Sequence, residues 1–516
     1  MGRGAPWAGL QPGLEAQLLS AHHHRLSMST DPSRLSSRLR DLLRNTAAPG
    51  AVRDEVRPIE GDDVPGESSC KRRYVPDDDT LVGHEVPTGC VVMERHYDLD
   101  GHHGRQAVGH YAEVIKRCLP ALAVLAADER AAGGPRLERP RRLRFEATRP
   151  LADDRRRPAV PTQGPLLFFD LETTGLSGGA GTIAFLVGCG YFDGEGFHVI
   201  QYFLSGYHAE HELLISLAAL TGRFGGLVTF NGRTFDVPLI DTRYLFHRLP
   251  SPFGEMPHFD MLYPARRLWR RRVDPGPGRS EGQGGHSLGQ SSCALGALEE
   301  TILGVHRIDD VPGAEIPSRY FHYLRTGDLQ PLEPVFEHNR LDLISLAALT
   351  ALGMQMVDGG TAAVASPHEA LAIGQIYERL GRSGEAEAHF ARAAGVDPTP
   401  WDTRSVDRTI RAEALHHLAV HHRRQRHHAA AAEAWHGMLD TGAGQPLEQE
   451  ARRALAIHHE HRCRDLDTAR AFVLYALESE RDPAQIDALR HRLARLDRKR
   501  HAGREGPPDQ ATLRRD

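Results

Sequence analysis

The chain has 516 residues, 40% of them hydrophobic and 25% charged, with a net charge of −5 at pH 7. That is the balance of a globular protein with some polar tails, long enough for about two to four domains. A small negative charge mildly disfavours a non-specific nucleic-acid coat protein but leaves room for a local basic groove. No run of about 18 apolar residues offers a membrane helix, so no membrane partner is expected. The six cysteines are scattered, with no CxxC spacing. This argues against a zinc ribbon or a disulfide framework and fits a reducing, cytoplasmic setting. The first residues show no signal-peptide pattern of basic start, apolar core and cleavage site.

Residues 1–30 are rich in Gly, Pro, Ser and His and read as disordered. Residues 1–27 are expected to be dispensable, with Met28 as a candidate start. Asp31-Pro32 reads as a helix cap and first-turn proline, opening a short helix with Leu35, Leu39, Leu42 and Leu43 on one face. In the rest of a segment spanning 31–160, Val86 to Tyr97 predicts strand and turn. His110 to Asp128 predicts an amphipathic helix interrupted by Pro120, and 129–160 an Arg-, Pro- and Gly-rich linker. No function follows from this third of the chain.

Between 161 and 360 the pattern changes. Strands are predicted at about 165–170, 182–191 and 197–204, then a helix at about 209–222 and a short buried strand Gly226–Phe230. The first strand carries Phe169-Asp170-Leu171-Glu172-Thr173-Thr174-Gly175. Residues two apart on a strand share a face, so Asp170 and Glu172 point the same way from an apolar run. Two acids there need a partner, and a hard divalent cation takes carboxylate oxygens. Next comes Asn231-Gly232, a strong turn signal, with Asp236 where a helix begins. Last, His338 and Asp342 lie four apart, on one face of a helix running to about Met356. Pro264 to Arg272 sets Arg266, Arg267 and Arg270 around Trp269, residues that can grip a phosphate backbone and stack a base, or equally form a solvated helix face. Residues 273–291 read as a Gly-, Ser- and Gln-rich insertion.

The three acidic motifs, in this order, closely resemble those of the DEDD exonuclease superfamily within the ribonuclease H-like fold, over about residues 160–355. The stretch from Asn231 through Asp236 to Pro238 looks like the corresponding motif of family B polymerase proofreading domains. Overall the chain resembles the YprB-type ribonuclease H-like family, which tends to carry helical repeats after the nuclease. There is one departure. The histidine-bearing DEDD group usually separates its histidine from the last Asp by four residues. Here three intervene, the spacing of the tyrosine subgroup, so His338 stands where that subgroup has Tyr.

The resemblance implies an α/β ribonuclease H-like domain, a mixed sheet flanked by helices. It implies a 3′–5′ exonuclease in which Asp170, Glu172, Asp236 and Asp342 hold two Mg²⁺ or Mn²⁺ ions. His338 would take or orient the proton of the attacking water, while Thr173 and Asn231 would contact the nucleotide. The substrate would be nucleic acid, more readily DNA, with a single-stranded or frayed 3′ end. The alternative is a catalytically silent nucleic-acid-binding or scaffold protein that keeps the fold.

Residues 365–480 read as an all-α region of tetratricopeptide-like repeats. Ala370, Ile373, Gly374, Tyr377, Ala386, Phe390, Ala393 and Pro398 supply the spacing of one copy, and Leu415, Leu418, Ala419, Ala431, Trp435 and Met438 a looser second. Such solenoids bind protein partners, for example a helicase that supplies single strands. A chain ending near residue 362 is then expected to leave a folded nuclease. His417 and His421 have the spacing of a zinc pair, but nothing adjacent in sequence completes a site. Residues 481–516 read as a basic helix and disordered tail.

Overall fold

A computed structural model of the chain describes residues 90–131, 164–175, 181–273, 293–396, 401, 407–444 and 446–504. The predicted helix of Leu35, Leu39, Leu42 and Leu43, the Met28 start, the body of the 129–160 linker and the 274–291 insertion lie outside the described residues.

Strand β1 (Cys90–Asp98) is followed by a two-residue ribbon, β2 (His102–His103) and β3 (Gln106–Ala107), and by helices α1 (Val108–Arg117) and α2 (Leu119–Ala131). The predicted interruption at Pro120 is a break between two helices. The proline sits in the first turn of the second, where its missing N–H leaves no hydrogen bond unmade. Then come β4 (Leu166–Thr173), β5 (Ala184–Phe192), β6 (Gly196–Leu204), α3 (Glu210–Thr221), β7 (Gly226–Thr229), α4 (Asp236–Phe246), β8 (His258–Asp260) and α5 (Leu262–Val273). After α6 (Leu295–Leu298) and α7 (Ile316–Thr326), the 26-residue α8 (Glu333–Asp358) closes the domain.

The six strands form one mixed sheet in the order β1-β6-β5-β4-β7-β8. The β4-β5-β6 meander and β1 pair antiparallel, while β7 and β8 run parallel to β4. Strand alternation splits the core in two. Phe168, Phe197 and Val199 point into a cluster with α1, α2, α5 and α8, whereas Leu167, Phe169, Leu171 and Ile200 point into a cluster with α3, α4 and α7. This is a ribonuclease H-like domain, a mixed sheet flanked by helices. The strand expected in the unassigned N-terminal third is its edge strand, with Cys90 opposite Leu204 and Asp98 opposite Gly196. The described part of that third therefore completes the domain.

α8 is also a described helix long and apolar enough, by length and composition, to cross a membrane, which the residue count above missed. In the fold it is the central core helix, with 72% of the apolar stretch buried inside the protein.

An all-helical region follows: α9 (Pro367–Arg379), α10 (Ser383–Ala394), α11 (Arg408–Arg424), α12 (His428–Asp440), α13 (Leu447–His458), α14 (Leu466–Ser479) and α15 (Pro483–Arg504), each packed on the next. Small residues at the contacts (Ala370, Ala386, Ala419, Ala431) are buried and let the backbones approach. The histidines His417 and His421 face carboxylates of neighbouring helices, Glu378 at 2.9 Å and Glu387 at 3.2 Å.

The region is not packed as an independent unit. α9 lies against α2 and α5, and one continuous core runs from the sheet through Trp269 and Leu268 to Ile373, Phe390 and Leu415. Ion pairs reinforce the contact: Arg272 with buried Glu369 at 2.8 Å and Arg271 with Glu413 at 2.9 Å. Cutting the chain after residue 362 would uncover the α2 and α5 faces, each large apolar side chain costing about 1.5–3 kcal/mol when exposed. The expectation of a separable nuclease is therefore revised. The truncated protein should be insoluble, or melt well below the full chain by circular dichroism; a soluble fragment with the full chain's melting temperature would show that the shared core is dispensable.

Candidate active site

Asp170, Glu172, Asp236, His338 and Asp342 line one cleft of about 230 Å³, together with Thr173, Asn231, Phe230 and Phe235. Four elements deliver them. β4 presents Asp170 and Glu172 on its α8 side, and a register shift against β5 between Glu172 and Thr173 ends the regular pairing at the cleft. Such bulges re-aim side chains beside functional sites. β7 ends at Thr229, and the turn that follows places Asn231 at φ 66°, a left-handed conformation that Asn tolerates. The chain then enters α4 with Asp236 in its first turn, where the helix N-terminus favours negative charge. α8 contributes His338 and Asp342, one turn apart, with His338 Nε2 3.5 Å from Asp342 Oδ2.

The electrostatics are those of acids without enough compensation. Burial, then the neighbouring charges of Asp342 and Asp236, pushes the Asp170 carboxyl well above the usual range, with His338 and Asn339 opposing. Burial, then Asp170, Asp342 and Asp236, does the same to Glu172. Asp236 is pushed up to about 8 by burial, then by Asp260 and Asp342. The acids share the cleft without closing into a cage: among the described residues, no three of them bring oxygens within 4.8 Å of one another. Their oxygens are hard donors, and a divalent cation would relieve both the burial and the repulsion. The residues present fit Mg²⁺ or Mn²⁺.

Around the acids stands a polar frame that motif reading missed. Asn339, fully buried, donates from Nδ2 to Asp170 Oδ2 at 2.8 Å, and Gln201 Nε2 donates to Asn339 Oδ1 at 2.9 Å. Gly188 lies opposite both Asp170 and Gln201, and a Cβ there would sit 2.3 Å from Asn339 Oδ1. The glycine is the space into which Asn339 reaches. At the end of β8, Asp260 accepts from the backbone N–H of Asn231, Arg233 and Leu262, at 2.8, 3.0 and 3.1 Å, and so fixes the turn that leads to Asp236.

Arg307 is the other unforeseen residue. Its guanidinium bridges Asp342 and Glu299 and is nearly buried. Burial works against its charge, but Glu299 and Asp342 outweigh that and hold it above its usual range. His338 Nδ1 lies 2.7 Å from Asp310 Oδ1. Burial works against its protonation too, but Asp342 and Asp310 raise its affinity for a proton. A protonated Nδ1 donates to Asp310, and the nearby Arg307 Nη1, 3.1 Å away, is then a second donor that the same carboxylate serves.

Of the remaining sequence-predicted residues, Thr173 and Asn231 line the cleft, with Asn231 exposed and its Oδ1 accepting from Thr234 Oγ1 at 2.9 Å. Trp269 does not match its expected role. It is 0% exposed, packed between α5 and the helices behind it, so its ring cannot stack a base. Arg267 bonds Gln375 of α9 at 3.0 Å, which makes it part of the junction between the two regions. Arg266 and Arg270 are exposed on the outer face of α5.

Comparison with known proteins agrees with this architecture. Residues 167–352 match the model of the RNase H superfamily. Over 344 residues the chain is 28% identical to the uncharacterized protein YprB of Bacillus subtilis (strain 168), covering 65% of this chain and 75% of that protein. The fold and the match support a YprB-type ribonuclease H-like protein of the nuclease superfamily.

The raised carboxyls predict a pH signature. A folded-state pKa above the unfolded one means that stability is lost as pH rises from about 4 towards 8, because ionising the buried acid costs more in the folded chain. In EDTA at pH 8, Asp236→Asn should therefore melt several degrees above the wild type, and the difference should shrink at pH 5. A variant less stable than the wild type at pH 8 would contradict the account.

Proposed function

We propose that the protein is a metal-dependent 3′–5′ exonuclease that hydrolyses the terminal phosphodiester of a nucleic acid with a free single-stranded or frayed 3′ end, DNA more readily than RNA. The observation that carries this reading is the convergence of Asp170, Glu172, Asp236 and Asp342 from β4, α4 and α8 on one cleft, where burial makes Asp170, Glu172 and Asp236 hold their protons abnormally tightly. The order and type of the motifs, like those of DEDD exonucleases, supply the direction of attack.

In this reading the four carboxylates would hold two Mg²⁺ or Mn²⁺ ions, whose chemistry would be to lower the pKa of the attacking water and to stabilise the departing oxygen. The chain's own residues do the rest. Asn339, braced by Gln201, keeps one oxygen of Asp170 turned and hydrogen-bonded, so that the other faces the cleft. Asp260 holds the Asn231 turn at the mouth of the cleft, where the terminal nucleotide would lie. His338, its Nδ1 tied to Asp310, presents Nε2 beside Asp342, placed to receive a proton from the nucleophile. The exposed Arg266 and Arg270 would attract the phosphate backbone; Trp269 takes no part. The helical region would hold a protein partner.

The Arg307–Asp342 pair favours a second reading, a nucleic-acid-binding protein whose cleft is silent because a cation-ligating carboxylate is already engaged. Activity separates the two. Full-length protein should shorten 5′-end-labelled single strands stepwise in Mg²⁺ or Mn²⁺ and not in EDTA. Asp170→Asn and Asp236→Asn should each lose more than about 100-fold, since losing a metal removes several kcal/mol of transition-state stabilisation. His338→Ala should lose less. Equal, EDTA-resistant degradation by all four proteins would sink the exonuclease reading, and inactivity of pure wild type on DNA and RNA alike would favour the silent one.

A further inference from the structure

On the opposite face of the sheet from the acids, a second group of metal-ligating side chains converges. His96 on β1 and His198 on β6 are direct cross-strand partners, their ring centroids 4.3 Å apart. Asp193, in the turn between β5 and β6, brings Oδ2 to 2.6 Å from His198 Nε2. One ligand atom from each of the three lies within 4.8 Å of the others. His198 is three residues from Gln201 along β6, roughly 10 Å, and points the other way because side chains alternate.

Each of the three is held from behind. His96 Nδ1 is 3.2 Å from Asp98 Oδ1, an ion-pair distance; with the ring proton on that side, Nε2 would carry a lone pair. That Nε2 is buried and has no hydrogen-bond partner; His198 Nε2 is also buried and unpartnered, its contact with Asp193 being outside hydrogen-bond geometry. Asp193 Oδ1 accepts from the N–H of Glu195 at 2.7 Å and of Gly196 at 3.0 Å, which leaves Oδ2 turned towards the histidines. A Cβ on Gly196 would stand 2.7 Å from His96 Nε2, so the glycine leaves that nitrogen open. Tyr191 stacks on His198 at 5.4 Å and limits its ring rotation.

We infer that His96, His198 and Asp193 form a Zn²⁺ site of two imidazoles and a carboxylate, with a water in the fourth position. Two neutral nitrogens and one oxygen are the donors zinc takes in tetrahedral sites, whereas Mg²⁺ and Ca²⁺ prefer oxygen alone. The Asp98–His96 contact is the carboxylate–histidine support found behind zinc-ligating imidazoles. A metal here would clip the edge strand β1 to the β5–β6 turn and so tie the N-terminal segment to the sheet.

The test is competition for Zn²⁺ between the full-length protein and a chromophoric chelator, in excess Mg²⁺ so that the acidic cleft is not the reporter. Wild type and Asp170→Asn should each hold one tight equivalent beyond the weaker binding of a histidine-rich chain. Asp193→Asn, which keeps the turn's hydrogen bonds, and His198→Gln should lose that equivalent, and Asp98→Asn should bind it about 10–100-fold more weakly. Co²⁺ in place of zinc should give the intense visible band of a four-coordinate site in wild type and Asp170→Asn, and not in Asp193→Asn or His198→Gln. The same zinc affinity in wild type and Asp193→Asn, or no tight equivalent in wild type, would overturn the proposal. Circular dichroism of each variant identifies any that is unfolded; if His198→Gln is, Asp193→Asn and Asp98→Asn decide.

Discussion

Burying several carboxylates in one cleft is the constraint on which the rest of this structure depends. An acid removed from water costs several kcal/mol unless something compensates, and like charges nearby add to the cost. The chain compensates in part with polar groups: Asn339 on Asp170, a helix N-terminus at Asp236, Arg307 and His338 at Asp342. What remains uncompensated shows as carboxyls that hold their protons far above the normal range. A site that merely stabilised the fold would not be left in that condition. The residual repulsion is what a divalent cation would relieve, so structural cost and chemical use are the same quantity.

α8 is where fold and site meet. Its apolar residues fill the core between the sheet and α1, α2 and α5, while one polar stripe carries His338, Asn339 and Asp342 to the end of β4. Because α9 and α5 share that core, the helical region is mechanically continuous with the domain that holds the cleft. A load on those helices would be transmitted through α5, where Arg271 and Arg272 pair with Glu413 and Glu369.

Much of this was legible in the sequence because strands and helices have fixed periods. Asp170 and Glu172 two apart, and His338 and Asp342 four apart, state their own geometry, and Asn231-Gly232 announces the turn before Asp236. The supporting residues were not legible, because their partners are distant in sequence: Asn339 meets Gln201 across 138 positions and Arg307 meets Asp342 across 35. Asp260 had a readable signal. It closes the short strand β8 behind Phe259, and as an acid on a buried strand, like Asp170, it could have been weighed on the same ground. Trp269 misled because a basic, aromatic helix looks alike whether its aromatic faces solvent or a neighbouring domain. Only the presence of α9 decides which. The edge strand β1 was visible as a strand, but a single strand does not reveal which sheet it joins.

The central claim is that the four acids form a two-cation site, and Mn²⁺ binding followed by electron paramagnetic resonance tests it most directly. The account predicts two Mn²⁺ ions per chain, close enough to couple magnetically, as ions roughly 3.5–4 Å apart do. It also predicts that the coupled signal disappears in Asp342→Asn while the protein stays folded. A wild-type protein that binds no Mn²⁺, or binds only isolated ions unaffected by that substitution, would contradict it.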